Sequence, residues 1–129
     1  MNMFMDGVIK ELGDKFKQLT NSEFLCFEQV AALKNVMGVY MIYDENKVLL
    51  YIGNTNKFHI RFGTDLKHES THTLVRKLMK KETFGDRKTV VDYLKNKCSM
   101  KIEICNTKRQ AEALEHIAIY ILNPPINSW

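Results

Sequence analysis

The chain has 129 residues, 45% of them apolar and 26% charged, with a net charge of +4. That is one domain's length, enough for a sizeable core, with the composition of an ordinary globular protein rather than a disordered or fibrous one. No apolar run approaches the roughly 18 residues needed to span a bilayer, and the opening "MNMFMDGVIKELGDKF" lacks the basic-then-apolar order of a signal peptide. Three cysteines, Cys26, Cys98 and Cys105, are odd in number and follow no metal spacing. They read as free thiols in a reducing compartment, the cytoplasm or, in a eukaryotic or viral setting, the nucleus.

In chain order, "FMDGVIKELGDKFKQL" places Val8, Ile9, Leu12, Phe16 and Leu19 at helical spacing and predicts a first helix. Residues 22–37 fit a short strand followed by a helical turn. "GVYMIYDENKVLLYIG", residues 38–53, carries β-branched and aromatic residues on both sides of a polar turn and predicts a hairpin. "KFHIRFGTDLKH" predicts a short helix broken near Gly63. Two basic amphipathic helices follow in "THTLVRKLMKKE" and "DRKTVVDYLKNK". "SMKIEIC" alternates and predicts a strand. "TKRQAEALEHIAIYIL" predicts the last helix, opened by Thr107 and Gln110 as a capping box and stopped by "NPP". The class is α+β, a small antiparallel sheet with helices around it.

The hairpin is nearly palindromic: Gly38 and Tyr40 open it, Tyr51 and Gly53 close it. With the turn centred between Glu45 and Asn46, Tyr40 pairs with Tyr51 and Gly38 with Gly53. Both phenols then share a face, since directly opposite residues do so. An aromatic cross-strand pair accounts for the tyrosines by packing alone. Two bare glycines beside them add room for another group to approach.

Charge is concentrated in the middle. Residues 54–101 hold twelve Lys/Arg against five Asp/Glu, a net of +7, while the segments on either side are acidic. A basic centre suits a polyanion, and Lys77, Lys80, Lys81 and Lys88 are its candidate phosphate contacts; solvated helix faces give the same pattern. In the last helix Glu115 falls inside the apolar stripe Ala111, Leu114, Ala118 and Ile121. A carboxylate there needs a partner, either a lysine or a divalent metal. Arg61 follows Tyr51 by ten positions. His59, His68, His72 and His116 include one i, i+4 pair, His68 and His72, but no third or fourth zinc ligand at suitable spacing.

"GVY" at 38–40, "YIG" at 51–53, Arg61, Glu115 and the terminal "LNPPIN" with Asn127 together resemble, in order and spacing, the motif set of the GIY-YIG endonuclease family. The resemblance runs from about residue 37 to the end. It divides the chain into an N-terminal helical extension, 1–36, and a standalone nuclease-like domain, 37–129. It implies a three-stranded antiparallel sheet flanked by helices, an active site on one sheet face, and hydrolysis of nucleic-acid phosphodiesters, DNA favoured over RNA, with one divalent cation, Mg²⁺ or Mn²⁺.

By that similarity Tyr40 is the general base or orients the attacking water. Tyr51 contacts phosphate or a metal-bound water, Arg61 holds phosphate oxygens, and Glu115 binds the metal. Asn127 binds phosphate or shapes the site, and Gly53, Asn54, His68 and His72 lie where substrate would pass. The position four after the arginine, often His or Tyr in the family, is Asp65 here, with His68 and His72 as substitutes. Asn54 and Thr55 stand where many members carry a basic or hydroxyl residue. The competing expectation is a nucleic-acid-binding module with a weakened site. DNA repair, mobile-element cleavage, restriction and phage defence all use such domains. Residues 1–36 are candidates for a homodimer contact or a substrate wall, and no membrane partner is expected.

Overall fold

The computed structural model describes residues 3–64, 66, 73–81 and 84–129. Three strands form one antiparallel sheet in the order β2-β1-β3, with β1 Met37–Tyr43, β2 Leu49–Thr55 and β3 Ser99–Cys105. Helices α1 (Met3–Asn21) and α5 (Lys108–Leu122) cover one face. Helices α2 (Phe27–Ala31), α3 (Thr73–Met79) and α4 (Arg87–Lys97) cover the other. A π-helical turn, Ile60–Thr64, follows β2, and a 3-10 turn, Pro125–Ser128, ends the chain. None of the described helices is long and apolar enough to cross a membrane.

The central strand is buried on both faces and therefore feeds two cores. Val39, Met41 and Ile52 pack with Leu19, Ala111, Leu114 and Ala118. Tyr40, Ile42 and Tyr51 pack with Phe27, Phe58, Phe62, Leu74, Leu94 and Met100. Leu19 is fully buried, so α1 contributes to the sheet's packing although it precedes the hairpin. Lys15 fastens it to β3, donating to the Glu103 carboxylate at 3.0 Å and the Ile104 carbonyl at 2.8 Å. Residues 22–36 hold a single bridge, Leu25 to Met100, and then α2.

Helix boundaries follow local chemistry. Asp86 caps α4 by accepting from the Thr89 N–H at 2.8 Å. Thr107 caps α5 by accepting from the Gln110 N–H at 3.1 Å. The expected capping box is modified: the Gln110 side chain accepts from the N–H of Asn106, not from that of Thr107. Asn123 ends α5 in the left-handed region at φ 47° before the prolines. The apolar stripe of α5 is buried at Ala111, Leu114 and Ala118 but exposed at Ile121. It stops a turn early, at the end of the helix where Tyr120 and Leu122 are exposed as well.

The hairpin register differs from the symmetric pairing. Tyr40 lies opposite Gly53, Gly38 opposite Thr55, and Tyr51 opposite Ile42, with a bulge at Ile42/Tyr43. The turn is the cause. The Asp44 carboxylate accepts from the N–H groups of Asn46 and Val48, and Lys47 adopts φ 64°, giving a longer loop than a tight two-residue turn. The error is two residues, and two is the side-chain period of a strand, so each tyrosine keeps its face.

Candidate active site

Tyr40 and Tyr51 lie diagonally on one sheet face, ring centroids 6.3 Å apart. Tyr40 is 3% exposed, and Phe62 from the π-helical turn meets it edge-on at 4.8 Å. The two glycines serve different needs. A Cβ on Gly53 would sit 2.4 Å from the Tyr40 hydroxyl, so the bare backbone of Gly53 is the floor beneath that ring. A Cβ on Gly38 would meet the Glu103 carbonyl oxygen, so Gly38 lets β3 approach. Gly53→Ala is therefore expected to displace the Tyr40 ring and lower stability by about 1–3 kcal/mol, the usual range for overpacking. Chemical denaturation measures the loss; an unchanged midpoint would show that the ring moves aside freely.

Arg61 sits in the π-helical turn, its N–H donating to the Lys57 carbonyl at 3.1 Å. Its guanidinium acts on Tyr51. Burial raises the Tyr51 pKa above the ordinary phenol value, the Glu115 charge raises it further, and Arg61 and Arg76 oppose them. Arg76, on α3, was not singled out by the sequence, although it immediately precedes Lys77 on a basic helix.

Glu115 comes from the opposite layer. Its helix covers the far face of the sheet, and its carboxylate, 16% exposed, accepts from the Asn54 amide at 2.7 Å. Asn54 is the neighbour of Gly53 on β2, with its side chain on the Glu115 side. The tyrosine pair and Glu115 therefore lie on opposite sides of the β2 edge strand. Asn127 closes that edge: its amide donates to the Ile52 carbonyl and accepts from the Ile52 N–H, both at 2.8 Å.

Glu115 is a suitable hold for a hard cation. Burial pushes its carboxyl above the ordinary glutamate range, against the Asn54 hydrogen bond, which lowers it. Its neighbour of opposite sign is the exposed His116, 3.9 Å away and charged only when protonated; no lysine or arginine pairs with it among the described residues. No three His, Cys, Asp or Glu side chains converge among the described residues, so the protein's share would be one carboxylate with water and phosphate completing the shell, a donor set that suits Mg²⁺. His59 has its Nδ1 buried without a hydrogen-bond partner among the described residues. Asp65, His68 and His72 lie outside the described residues.

The lysines divide by environment. Lys77 is a brace, donating to the Ile126 and Asn127 carbonyls at 3.2 and 3.0 Å, with its ammonium 5.6 Å from the Tyr51 ring centre. Lys88 pairs with Asp92 at 2.8 Å. Thr73, Arg76, Lys77, Lys80, Lys81 and Trp129 line a groove of about 520 Å³.

The three-stranded sheet between helical layers thus carries a tyrosine pair, an arginine and a glutamate around one edge strand. The sequence matches the family model described as the GIY-YIG catalytic domain over residues 36–127, most of the chain, and the protein belongs to that family. Among solved structures the fold is similar to the GIY-YIG N-terminal endonuclease domain of UvrC from Thermotoga maritima, solved as a point mutant bound to its catalytic divalent cation. The TM-score is 0.51 at 16% identity, covering 77% of this chain and 90% of that one. No curated protein matches the chain by sequence similarity.

Proposed function

We propose that this nuclease is a divalent-metal-dependent endonuclease acting on DNA. What carries the reading, within the GIY-YIG family, is the tyrosine pair on one sheet face beside the β2 strand whose Asn54 holds the Glu115 carboxylate.

Glu115 would hold Mg²⁺ or Mn²⁺, with Asn54 fixing the carboxylate's orientation. When bound, the cation supplies charge stabilisation at phosphorus and at the leaving oxygen. Arg61 would grip the non-bridging oxygens, a two-point contact that a guanidinium makes without ever losing its proton. Tyr40 would orient the attacking water and take its proton. Tyr51, kept a neutral phenol by burial and by Glu115, would donate a hydrogen bond to phosphate or to a water. Asn127 would shape the edge, since its amide is engaged with Ile52 on both sides. The similarity of the fold to a UvrC domain that carries a catalytic divalent cation supports the metal. The deciding experiment incubates the purified protein with duplex DNA, single-stranded DNA and RNA, with Mg²⁺, with Mn²⁺ and with chelator. Metal-dependent nicking of DNA is expected; salt-sensitive binding without cleavage would make the chain a binding module instead.

The groove wall and α4 should behave differently. Lys80→Ala is expected to weaken binding about equally for all sequences and to reduce the salt slope by about one unit. Lys88→Ala should change neither, because that ammonium is paired to Asp92 outside the groove. Filter binding across a salt series distinguishes the two, and equal effects would spread the phosphate track onto α4.

A further inference from the structure

The groove beside the site contains more than positive charge: it holds the chain's single tryptophan. Trp129 is 48% exposed, although an indole is costly to leave in water. It is mounted firmly. Its backbone N–H donates to the carbonyl of Ile126 at 3.1 Å, the Ile126 side chain is buried, and Lys77 ties the carbonyls of Ile126 and Asn127 to α3. The Lys81 ammonium lies over the ring at 3.9 Å from its centre. The far end of the groove reaches the catalytic edge, because Lys77 stands 5.6 Å from the Tyr51 ring and the Arg76 charge acts on the Tyr51 hydroxyl.

We infer that this groove takes a single-stranded stretch of the nucleic-acid substrate, with an unpaired base stacked on Trp129 and the flanking phosphates held by Arg76, Lys80 and Lys81. The inference rests on the nuclease reading above and adds the strand state that the site selects. An aromatic platform lined by cations suits a single strand, in which each base has a free face. In a duplex those faces are stacked against each other, and the indole would find only sugar and phosphate. Lys81 lies over the ring, and Trp129 is about half exposed. A strand lying along the groove would pass from Trp129 to the β2 edge, bringing a phosphate toward Arg61 and Glu115.

Because Trp129 is the only tryptophan, its fluorescence reports this site alone. The wild-type chain, without divalent metal, is titrated with oligothymidylate, with oligouridylate and with a DNA hairpin duplex. Saturable, salt-sensitive quenching by a single strand is expected, with the duplex at least tenfold weaker. Trp129→Ala should weaken single-strand binding, read by anisotropy of a labelled oligonucleotide, by about tenfold or more. Trp129→Phe should recover most of it, and duplex binding should follow neither change. Equal affinity for duplex and single strand, or an absence of quenching, overturns the inference; if Trp129→Ala fails to fold, the wild-type titration decides. The two readings fail separately. Cleavage that needs Glu115 but is accompanied by no quenching rejects the groove and keeps the nuclease, whereas quenching without metal-dependent cleavage does the reverse.

Discussion

Glu115→Gln should lose metal-dependent cleavage by on the order of 10³-fold, the scale of a lost catalytic cation worth several kcal/mol, and should fold at least as well as the parent. The two outcomes have one cause. A glutamine oxygen still accepts from the Asn54 amide, so the local geometry survives. The half-buried carboxylate is a burden when ionised: its folded pKa lies above the ordinary value, with burial the main cause. Its contribution to stability is therefore fully present below the ordinary glutamate range and is lost as pH rises through the raised value. The variant escapes that loss, so its melting temperature relative to the parent should rise between acid and neutral pH. Activity of the parent should fall in the same acid window, as the proton competes with the cation. Nicking assays and thermal melts across pH check both. Full cleavage by the variant would remove Glu115 from the metal, and collapse of its fold would make the carboxylate structural.

Tyr40→Phe is the second large effect. The ring stays packed edge-on against Phe62 and beside Tyr51. One oxygen above Gly53 is removed, which costs about 1 kcal/mol of stability. A hydroxyl that orients or deprotonates water contributes about 10²–10⁴ in rate, and single-turnover cleavage should fall by that amount with substrate binding intact. If the tyrosines are only an aromatic pair, the rate will not move. Tyr51→Phe should be milder, because in the proposed mechanism Arg61 would share its contact with phosphate.

What the sequence made legible follows from periodicity. Strand alternation put Tyr40 and Tyr51 on one face even though the pairing was two residues off, because an error of two preserves the side-chain direction. The error itself arose in the turn, where the hydrogen bonds of Asp44 and the positive φ of Lys47 set the loop length; neither is visible as a pattern. Helical spacing placed Glu115 among Ala111, Leu114 and Ala118, but its partner, Asn54, lies 61 residues away on β2 and belongs to no local motif. Lys77 reads as one more cation of a basic helix, and only the fold shows its ammonium fastening the last turn. Trp129 and Arg76 gain meaning by sharing a groove, a relation between α3 and the end of the chain that no spacing encodes.

Asn127 has a consequence outside chemistry. β2 is an outer strand, and outer strands offer unpaired N–H and C=O groups to any passing chain. The Asn127 side chain reproduces the donor and acceptor of a peptide unit and satisfies Ile52 as a neighbouring strand would. One amide thus acts as a fourth strand a single residue long. It removes one peptide unit of the outer strand from those open to edge-to-edge pairing with another chain.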